Sequence, residues 1–130
     1  MGESNKNTNT NSIDDFEDFL EGNYVSIKEG QSPRELEFVR QSVTLPDGSV
    51  TWKWKTDVVE KPGFKGNGET LKAQYIVINP KSQSRREKIF ELTRRQAATI
   101  KNGLEPDKTI YKVWKTGTGT DTQYHIEAIR

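Results

Sequence analysis

Two runs of alternating apolar and polar residues near the C-terminus, 109–115 and 122–129, constrain the fold of this chain most strongly. They flank residues 116–121, whose two glycines permit the positive φ angles of a tight turn. This arrangement predicts a β-hairpin with a polar tip. Because side chains alternate across a strand, Lys112 and Trp114 should share one face of the first run. The pattern favours a sheet that packs on a core and also offers rings and cations to a ligand.

The chain has 130 residues, enough for one domain with a single small core. Residues 1–12 contain no apolar residue after Met1, so we expect them to be disordered. Residues 1–22 hold six acidic and one basic residue, a net charge of −5, while residues 23–130 hold 19 basic and 13 acidic residues, a net charge of +6. We therefore divide the chain into a disordered acidic arm, 1–22, and a basic domain, 23–130. Such a domain favours a polyanionic partner, although an acidic arm can also serve solubility alone.

Four apolar residues recur at helical spacing within the acidic arm: Ile13, Phe16, Phe19 and Leu20. This spacing allows one or two turns of amphipathic helix, which is marginal in water unless it packs against something. The stretch from Asp14 to Leu20 is a candidate contact for replication or repair proteins. Two alternatives stay open. The acids could fold back over the basic groove, or Phe16 and Phe19 could pack on the edge of the domain.

The rest of the chain is typical of strands separated by turn residues, with one helix. The predicted elements begin with a long bent first strand over 24–43, a Pro-Asp-Gly turn at 45–48 and a second strand at 49–56. A third strand at 70–79 follows, with a returning strand at 87–92. A helix capped by Thr93 and ended by Asn102 and Gly103 then leads to the final hairpin. This order is the connectivity of a mainly β fold, a five-stranded OB-fold barrel with one short helix between strands 3 and 4. SH3-like barrels seldom place a helix there. The chain also lacks the alternation of strands and helices that is typical of a Rossmann-type sheet.

The second strand alternates tryptophan and lysine from Trp52 to Lys55. Rings that stack on bases and cations that follow phosphates hold single-stranded nucleic acid, so a strand offering both suits that ligand. The candidate site comprises the cations Arg40, Lys53, Lys55, Lys65, Lys72, Lys112 and Lys115 and the rings Trp52, Trp54, Phe64, Tyr75 and Trp114. We expect at least one of Trp52 and Trp54 to be partly exposed. In the alternatives, one tryptophan belongs to the core, Phe64 plugs the end of a barrel, and Tyr75 is buried.

Side chains suited to catalysis are scarce in this chain. It has one histidine, His125, and no cysteine, so the residues offer no nucleophile and base pair, no metal-ligand spacing and no disulfide. The glycine-rich stretch at 60–68 lacks the order of a phosphate-binding P-loop. We therefore expect no enzymatic activity, cofactor or metal. No apolar run approaches the roughly 20 residues that cross a bilayer, and no signal peptide is recognisable, so we expect an intracellular protein of the cytoplasm or nucleoid.

Several of these segments resemble the phage-type single-stranded DNA-binding proteins, the helix-destabilising class of the T-even phages. The similarity lies in Tyr24-x-x-Ile27-x-x-Gly30, Leu36-x-Phe38, the strand from Tyr75 to Ile78, Ile89-x-x-Leu92 and, most sharply, Gly117-x-Gly119-x-x-Thr122-x-Tyr124. The resemblance implies an OB-fold, sequence-tolerant binding of single-stranded DNA in replication, recombination or repair, and no catalysis. It also makes a virus-encoded protein an alternative to a cellular one. T-even members carry a zinc site, which this chain cannot form without cysteine, and their acidic tail is C-terminal whereas the acidic arm here is N-terminal.

Two other functions fit the same residues. A small barrel with an aromatic hot spot and an acidic tether would be a protein-interaction module, which an absence of positive charge around the aromatics would favour. Single-stranded RNA is the other ligand, because these residues do not distinguish it from DNA. Selectivity between the two depends on contacts to the 2′-hydroxyl.

Overall fold

The computed structural model describes residues 13–62, 68–117 and 121–130. In these residues the chain forms two helices and eight strands: α1 (Ile13–Glu21), β1 (Arg34–Phe38), β2 (Arg40–Thr44), β3 (Val50–Trp54), β4 (Thr56–Pro62), β5 (Glu69–Ile78), β6 (Glu87–Thr93), α2 (Arg94–Gly103), β7 (Ile110–Thr116) and β8 (Gln123–Ala128). The predicted mainly β class is confirmed. No described helix has the length and apolar character needed to span a membrane.

The strands form two antiparallel sheets rather than the predicted five-stranded barrel. One sheet has the order β4-β5-β1-β7-β8, with β6 paired to the other edge of β5, and the second sheet is the β2–β3 hairpin. Over the described residues the larger sheet does not close on itself. The predicted first strand divides at Val39 into β1 and β2, and its start at Tyr24 makes only an isolated parallel bridge to Ile89.

The β2–β3 hairpin leaves the larger sheet between two strands that share one edge of β5. Phe38 at the end of β1 lies opposite Val77, and Thr56 at the start of β4 lies opposite Tyr75. Three backbone hydrogen bonds join the chain at this junction: Val39 N donates to Ile76 O at 3.0 Å, Ile76 N to Lys55 O at 2.9 Å, and Lys55 N to Val39 O at 2.8 Å. Residues 40–54 therefore project as a two-stranded ribbon.

The ribbon turns where its Pro-Asp-Gly sequence predicts. Gly48 has a φ of +86°, and its N–H donates to the carbonyl of Leu45 at 2.9 Å. The Asp47 carboxylate accepts hydrogen bonds from the Ser49 N–H at 2.9 Å and from the Ser49 hydroxyl at 2.6 Å. These local contacts fix the register in which Arg40 lies opposite Trp54.

The core is centred on Phe38, which meets three buried rings edge-on. Its ring centroid lies 5.5 Å from that of Tyr111, 5.6 Å from that of Tyr75 and 6.3 Å from that of Phe90. Buried Tyr111 keeps its hydroxyl paired, accepting from the Glu105 N–H at 2.8 Å and lying 2.8 Å from the Lys108 carbonyl oxygen. This contact ties the connection between α2 and β7 to the core.

Helix α2 begins and ends as the sequence predicts. Thr93 accepts a hydrogen bond from the Gln96 N–H, and the Gln96 side chain accepts from the Thr93 N–H, which is a capping box. The helix ends at Gly103, where a Cβ atom would lie 2.1 Å from Cγ2 of Ile126. Glycine at this position therefore allows α2 to pack closely on β8.

Candidate nucleic-acid interface

The β2–β3 ribbon presents Arg40, Trp52 and Trp54 on one face. Arg40 pairs with Trp54 and Ser42 with Trp52 across the two strands, so the alternation of side chains places these residues on the same side. Lys53 pairs with Gln41 and therefore points to the opposite side. The rings of Trp52 and Trp54 thus share a face with Arg40, and Lys53 lies on the other face.

The three side chains of this face contact one another. Cζ of Arg40 lies 4.0 Å from the ring centroid of Trp52 and 5.0 Å from that of Trp54, which are cation–π distances. The two indole rings meet edge-on with centroids 5.1 Å apart. Nη2 of Arg40 donates to the carbonyl of Pro106, which fixes the guanidinium against the body of the protein.

The two tryptophans differ in their attachment to the core. Trp54 meets Phe38 and Tyr111 edge-on, at 6.4 and 6.5 Å between centroids, and is partly buried. Trp52 remains 37% exposed. The prediction of one partly exposed tryptophan is confirmed by Trp52, and Trp54 is the one that packs against the core. We call Arg40, Trp52 and Trp54 the ribbon site.

The predicted lysines of this region do not join the ribbon site. Lys55 forms an ion pair with Glu87 at 3.1 Å, with both side chains more than a third exposed. Lys72 lies opposite Val59 on β4 and Thr93 on β6, and it alternates with half-buried Ala73 and so lies on the other face of β5 from buried Tyr75. The positive charge beside the two rings therefore comes from Arg40.

Tyr75, predicted as a stacking ring, is a core residue. It is 7% exposed and packs edge-on against Phe38. Burial also raises the pKa of its hydroxyl, because the ionised form would lose hydration. The alternative that places Tyr75 in the core is correct, and this ring is closed to a ligand.

The predicted residues of β7 lie apart from the ribbon site. Lys112 and Trp114 point away from the core face that holds Tyr111, and Lys112 lies opposite Glu35 on β1 and Glu127 on β8. The Trp114 ring stacks on His125, with centroids 5.4 Å apart and planes 15° apart. The remaining three predictions are Lys115, which lies on the core side with Nζ 5.0 Å from the Tyr124 ring centroid, and Phe64 and Lys65, which fall outside the described residues.

Searches of protein-family models, curated proteins and solved structures find no match to this chain. The chemistry of the ribbon site must be interpreted from its own residues.

Residues 13–21 of the predicted disordered arm form helix α1, where the apolar spacing allows a short helix. It is a nine-residue helix that docks through its carboxylates. Asp15 accepts hydrogen bonds from the Ser82 hydroxyl at 2.5 Å and the Gln83 N–H at 2.8 Å. Glu21 forms a two-pronged ion pair with Arg34, at 2.5 and 2.7 Å.

Lys88 is the buried anchor of this helix. Its side chain is fully buried, with Nζ 2.8 Å from Oδ1 of Asp18 and 2.6 Å from Oε1 of Glu21. The Glu21 contact is a hydrogen bond, whereas the Asp18 contact is an ion pair without hydrogen-bond alignment. Nη2 of Arg86 donates to the carbonyls of Asp18 and Gly22 at the C-terminal end of the helix, at 2.8 and 3.1 Å.

The apolar residues of α1 face outwards, with Ile13, Phe16, Phe19 and Leu20 each 56–67% exposed. Phe16 and Phe19 are therefore not buried on the domain edge, although the Arg86 guanidinium lies 6.0 Å from the Phe19 ring centroid. The acids do fold back on the domain, but onto Arg34 and Lys88 rather than the ribbon site. A cleft of about 710 Å³ beside the helix is lined by carboxylates, among them Asp14 and Glu17, and by Lys28, Arg34 and Lys81, so its lining is of mixed charge.

Glu21 makes the docking of α1 depend on pH. Burial by itself would raise the pKa of Glu21, but hydrogen bonds from Arg34, Lys88 and the Ser26 N–H outweigh burial and lower that pKa from 4.5 to about 2. Because the folded pKa lies below the unfolded one, the stabilisation is complete above about pH 4.5 and is lost as the pH falls towards 2. We expect the free energy of unfolding of the wild type to fall across this window more steeply than that of Glu21→Gln. Urea denaturation at several pH values measures both, and parallel curves would contradict the assignment.

Proposed function

We propose that this protein binds single-stranded DNA without strong sequence preference. The observation that carries the proposal is the ribbon site: a partly exposed Trp52 held against a fixed Arg40 on a projecting hairpin. A ring that stacks on bases and a cation for phosphates are the two components of such binding. The net charge of +6 on residues 23–130 is largely offset by the five acids of the docked helix α1, so the cation that supports a polyanionic ligand is Arg40 beside the rings.

Each residue of the ribbon site has a distinct role in this proposal. Trp52 provides the stacking surface, and base stacking on an aromatic ring is worth about 1–3 kcal/mol. Trp54, packed on Phe38 and Tyr111, holds Trp52 in place. Arg40 covers one side of Trp52. Its Nε–H is buried and Nη2 donates to Pro106, so in this proposal Nη1 supplies the donors to a phosphate.

The strand pairing supports an open relative of the OB-fold. In this comparison β1 and β2 form strand 1, β3 and β4 form strand 2, β5 is strand 3, and β7 and β8 are strands 4 and 5, with α2 before strand 4. The pairs β2–β3, β4–β5, β1–β7 and β7–β8 are then those that an OB-fold makes. Pairing between strands 3 and 5, which would close the barrel, is absent from the described residues. The ribbon site lies where strands 1 and 2 meet.

Intrinsic tryptophan fluorescence tests the proposal directly. The protein is titrated with oligothymidine at low and at high salt, beside a duplex of the same length. We expect quenching by the single strand that weakens with salt, because each phosphate contact to a single strand releases about 0.7 counterion. The duplex should produce little change. Neither quenching nor a change in the anisotropy of labelled DNA at low salt would overturn the proposal.

The arm from Asp14 to Leu20 remains a predicted contact for replication or repair proteins. Because α1 is docked on the domain, such a protein would contact a different surface from that of a free acidic arm. The acids Asp15, Asp18 and Glu21 are engaged with the domain, and the exposed side of α1 carries four apolar side chains beside Glu17. A partner of the docked helix would therefore recognise rings and aliphatic groups rather than a run of carboxylates.

A further inference from the structure

Strand β4 ends the larger sheet and leaves one of its edges unpaired in the part of the chain that the structure describes. The hydrogen bond from Ile76 N to Lys55 O sets the phase of its ladder with β5. Since bonded pairs alternate in an antiparallel ladder, Asp57, Val59 and Lys61 direct their backbone groups to β5. The backbone groups of Val58 and Glu60 therefore point to the open edge.

Two large apolar side chains are exposed beside this edge. Val58 is 67% exposed and Leu71, on β5, is 55% exposed. Val58 pairs with Ala73 and Glu60 with Leu71, so Val58 and Leu71 are diagonal neighbours on one face of the sheet. An open edge flanked by exposed apolar residues is a site where another strand can add.

We propose that a second copy of this chain pairs with this edge, β4 against β4, antiparallel about a two-fold axis at Val59. Hydrogen bonding requires that the outward residues of one copy meet outward residues of the other, so the axis passes through a residue. Val58, Val59 and Glu60 are the central residues of the strand and give the longest overlap. An axis at Glu60 brings two like carboxylates together. Pro62, which has no N–H, occupies a bonded position with either axis, opposite Val58 for Glu60 and opposite Thr56 at the strand end for Val59.

Charge selects Val59 from the remaining two positions. An axis at Val58 places Asp57 opposite Val59, whereas an axis at Val59 places Asp57 opposite Lys61 twice. These Asp57–Lys61 pairs occupy the closely spaced, non-bonded positions of the ladder, where side chains approach best. Lys61 already lies 3.2 Å from Glu91, and its three N–H groups allow a second carboxylate. Val58 of one copy then forms a bonded pair with Glu60 of the other, and the exposed Val58 and Leu71 of both copies share one face.

A charge exchange on the full-length chain tests this register, with self-association measured by sedimentation at low salt. We expect the wild type to associate with rising concentration. Asp57→Lys and Lys61→Asp should each associate about fivefold or more weakly, because like charges then face each other at two places. An equimolar mixture of the two variants should recover the association, since every facing pair is again of opposite sign.

The mixture also controls for misfolding. If a substitution disrupted the fold, the disrupted variant would still fail to associate in the mixture. Circular dichroism of each variant verifies the fold. A wild type that stays monomeric at the highest concentration reached would overturn the proposal. Single variants that associate as tightly as the wild type, or a mixture that fails to recover, would exclude this register. The prediction is independent of nucleic-acid binding, so it fails or holds separately from the proposed function.

Discussion

Replacing Lys88 with alanine is expected to lower the free energy of unfolding by about 3–5 kcal/mol, the usual cost of removing one partner from a buried ion pair. The Lys88 side chain is fully buried, and its Nζ contacts both Asp18 and Glu21, of which Glu21 also pairs with Arg34. Without it, the Asp18 carboxylate stays buried without a counter-charge. Since small domains are stable by about 5–15 kcal/mol, urea denaturation should detect the change clearly.

Lys55→Ala is the matched control for Lys88→Ala. Lys55 also forms an ion pair, with Glu87 at 3.1 Å, but both side chains are exposed, and such pairs contribute about 0–1 kcal/mol. Lys88→Met distinguishes charge from packing, because methionine restores much of the volume and none of the charge. We expect it to be closer in stability to Lys88→Ala than to the wild type. If Lys88→Ala costs no more than Lys55→Ala, the buried cluster does not hold α1 on the domain.

Replacing Trp52 with alanine is expected to weaken the binding of oligothymidine by about fivefold to 150-fold, corresponding to the loss of about 1–3 kcal/mol of base stacking. Trp52→Phe retains a flat ring and should bind closer to the wild type. Because the ring is partly exposed, the substitution should change stability little. The anisotropy of a labelled oligonucleotide measures the affinity without using the protein's own fluorescence.

Trp114→Ala is the comparison that locates the interface. Trp114 lies on the outer face of β7 against His125, away from the ribbon site. If Trp114→Ala reduces the affinity and Trp52→Ala does not, the interface lies on the β7–β8 face and the ribbon site is wrong. If both reduce it, the ligand contacts two surfaces. Normal affinity in both variants would exclude stacking on either ring.

The sequence predicts best those features that neighbouring residues determine. The N-cap of α2 at Thr93 and the turn at Gly48 depend on contacts within a few residues, and both form as predicted. Alternation along a strand also separates one face from the other correctly. It does not indicate which face is buried, so Tyr75 and Trp52 are equivalent in the sequence although one is core and the other exposed.

The docking of α1 depends on contacts between distant parts of the chain, which the local pattern does not contain. An amphipathic helix usually buries its apolar side, whereas this one buries its carboxylates against Arg34 and Lys88. One signal was nonetheless present. Lys88 is in phase with Phe90 and Leu92 along β6, where a strand places its core residues. A lysine at such a position needs a buried acidic partner, and the acidic arm supplies it.

The hydrogen bonds among Val39, Lys55 and Ile76 make the pairing of the larger sheet independent of the length of the β2–β3 hairpin. Because β1 and β4 abut along one edge of β5, their backbone bonds place no requirement on how many residues lie between them. Residue pairs added or removed near the tip, beyond Ser42 and Trp52, would leave the alternation at the base unchanged. The length of the β2–β3 hairpin can therefore change, by evolution or engineering, while the larger sheet stays the same.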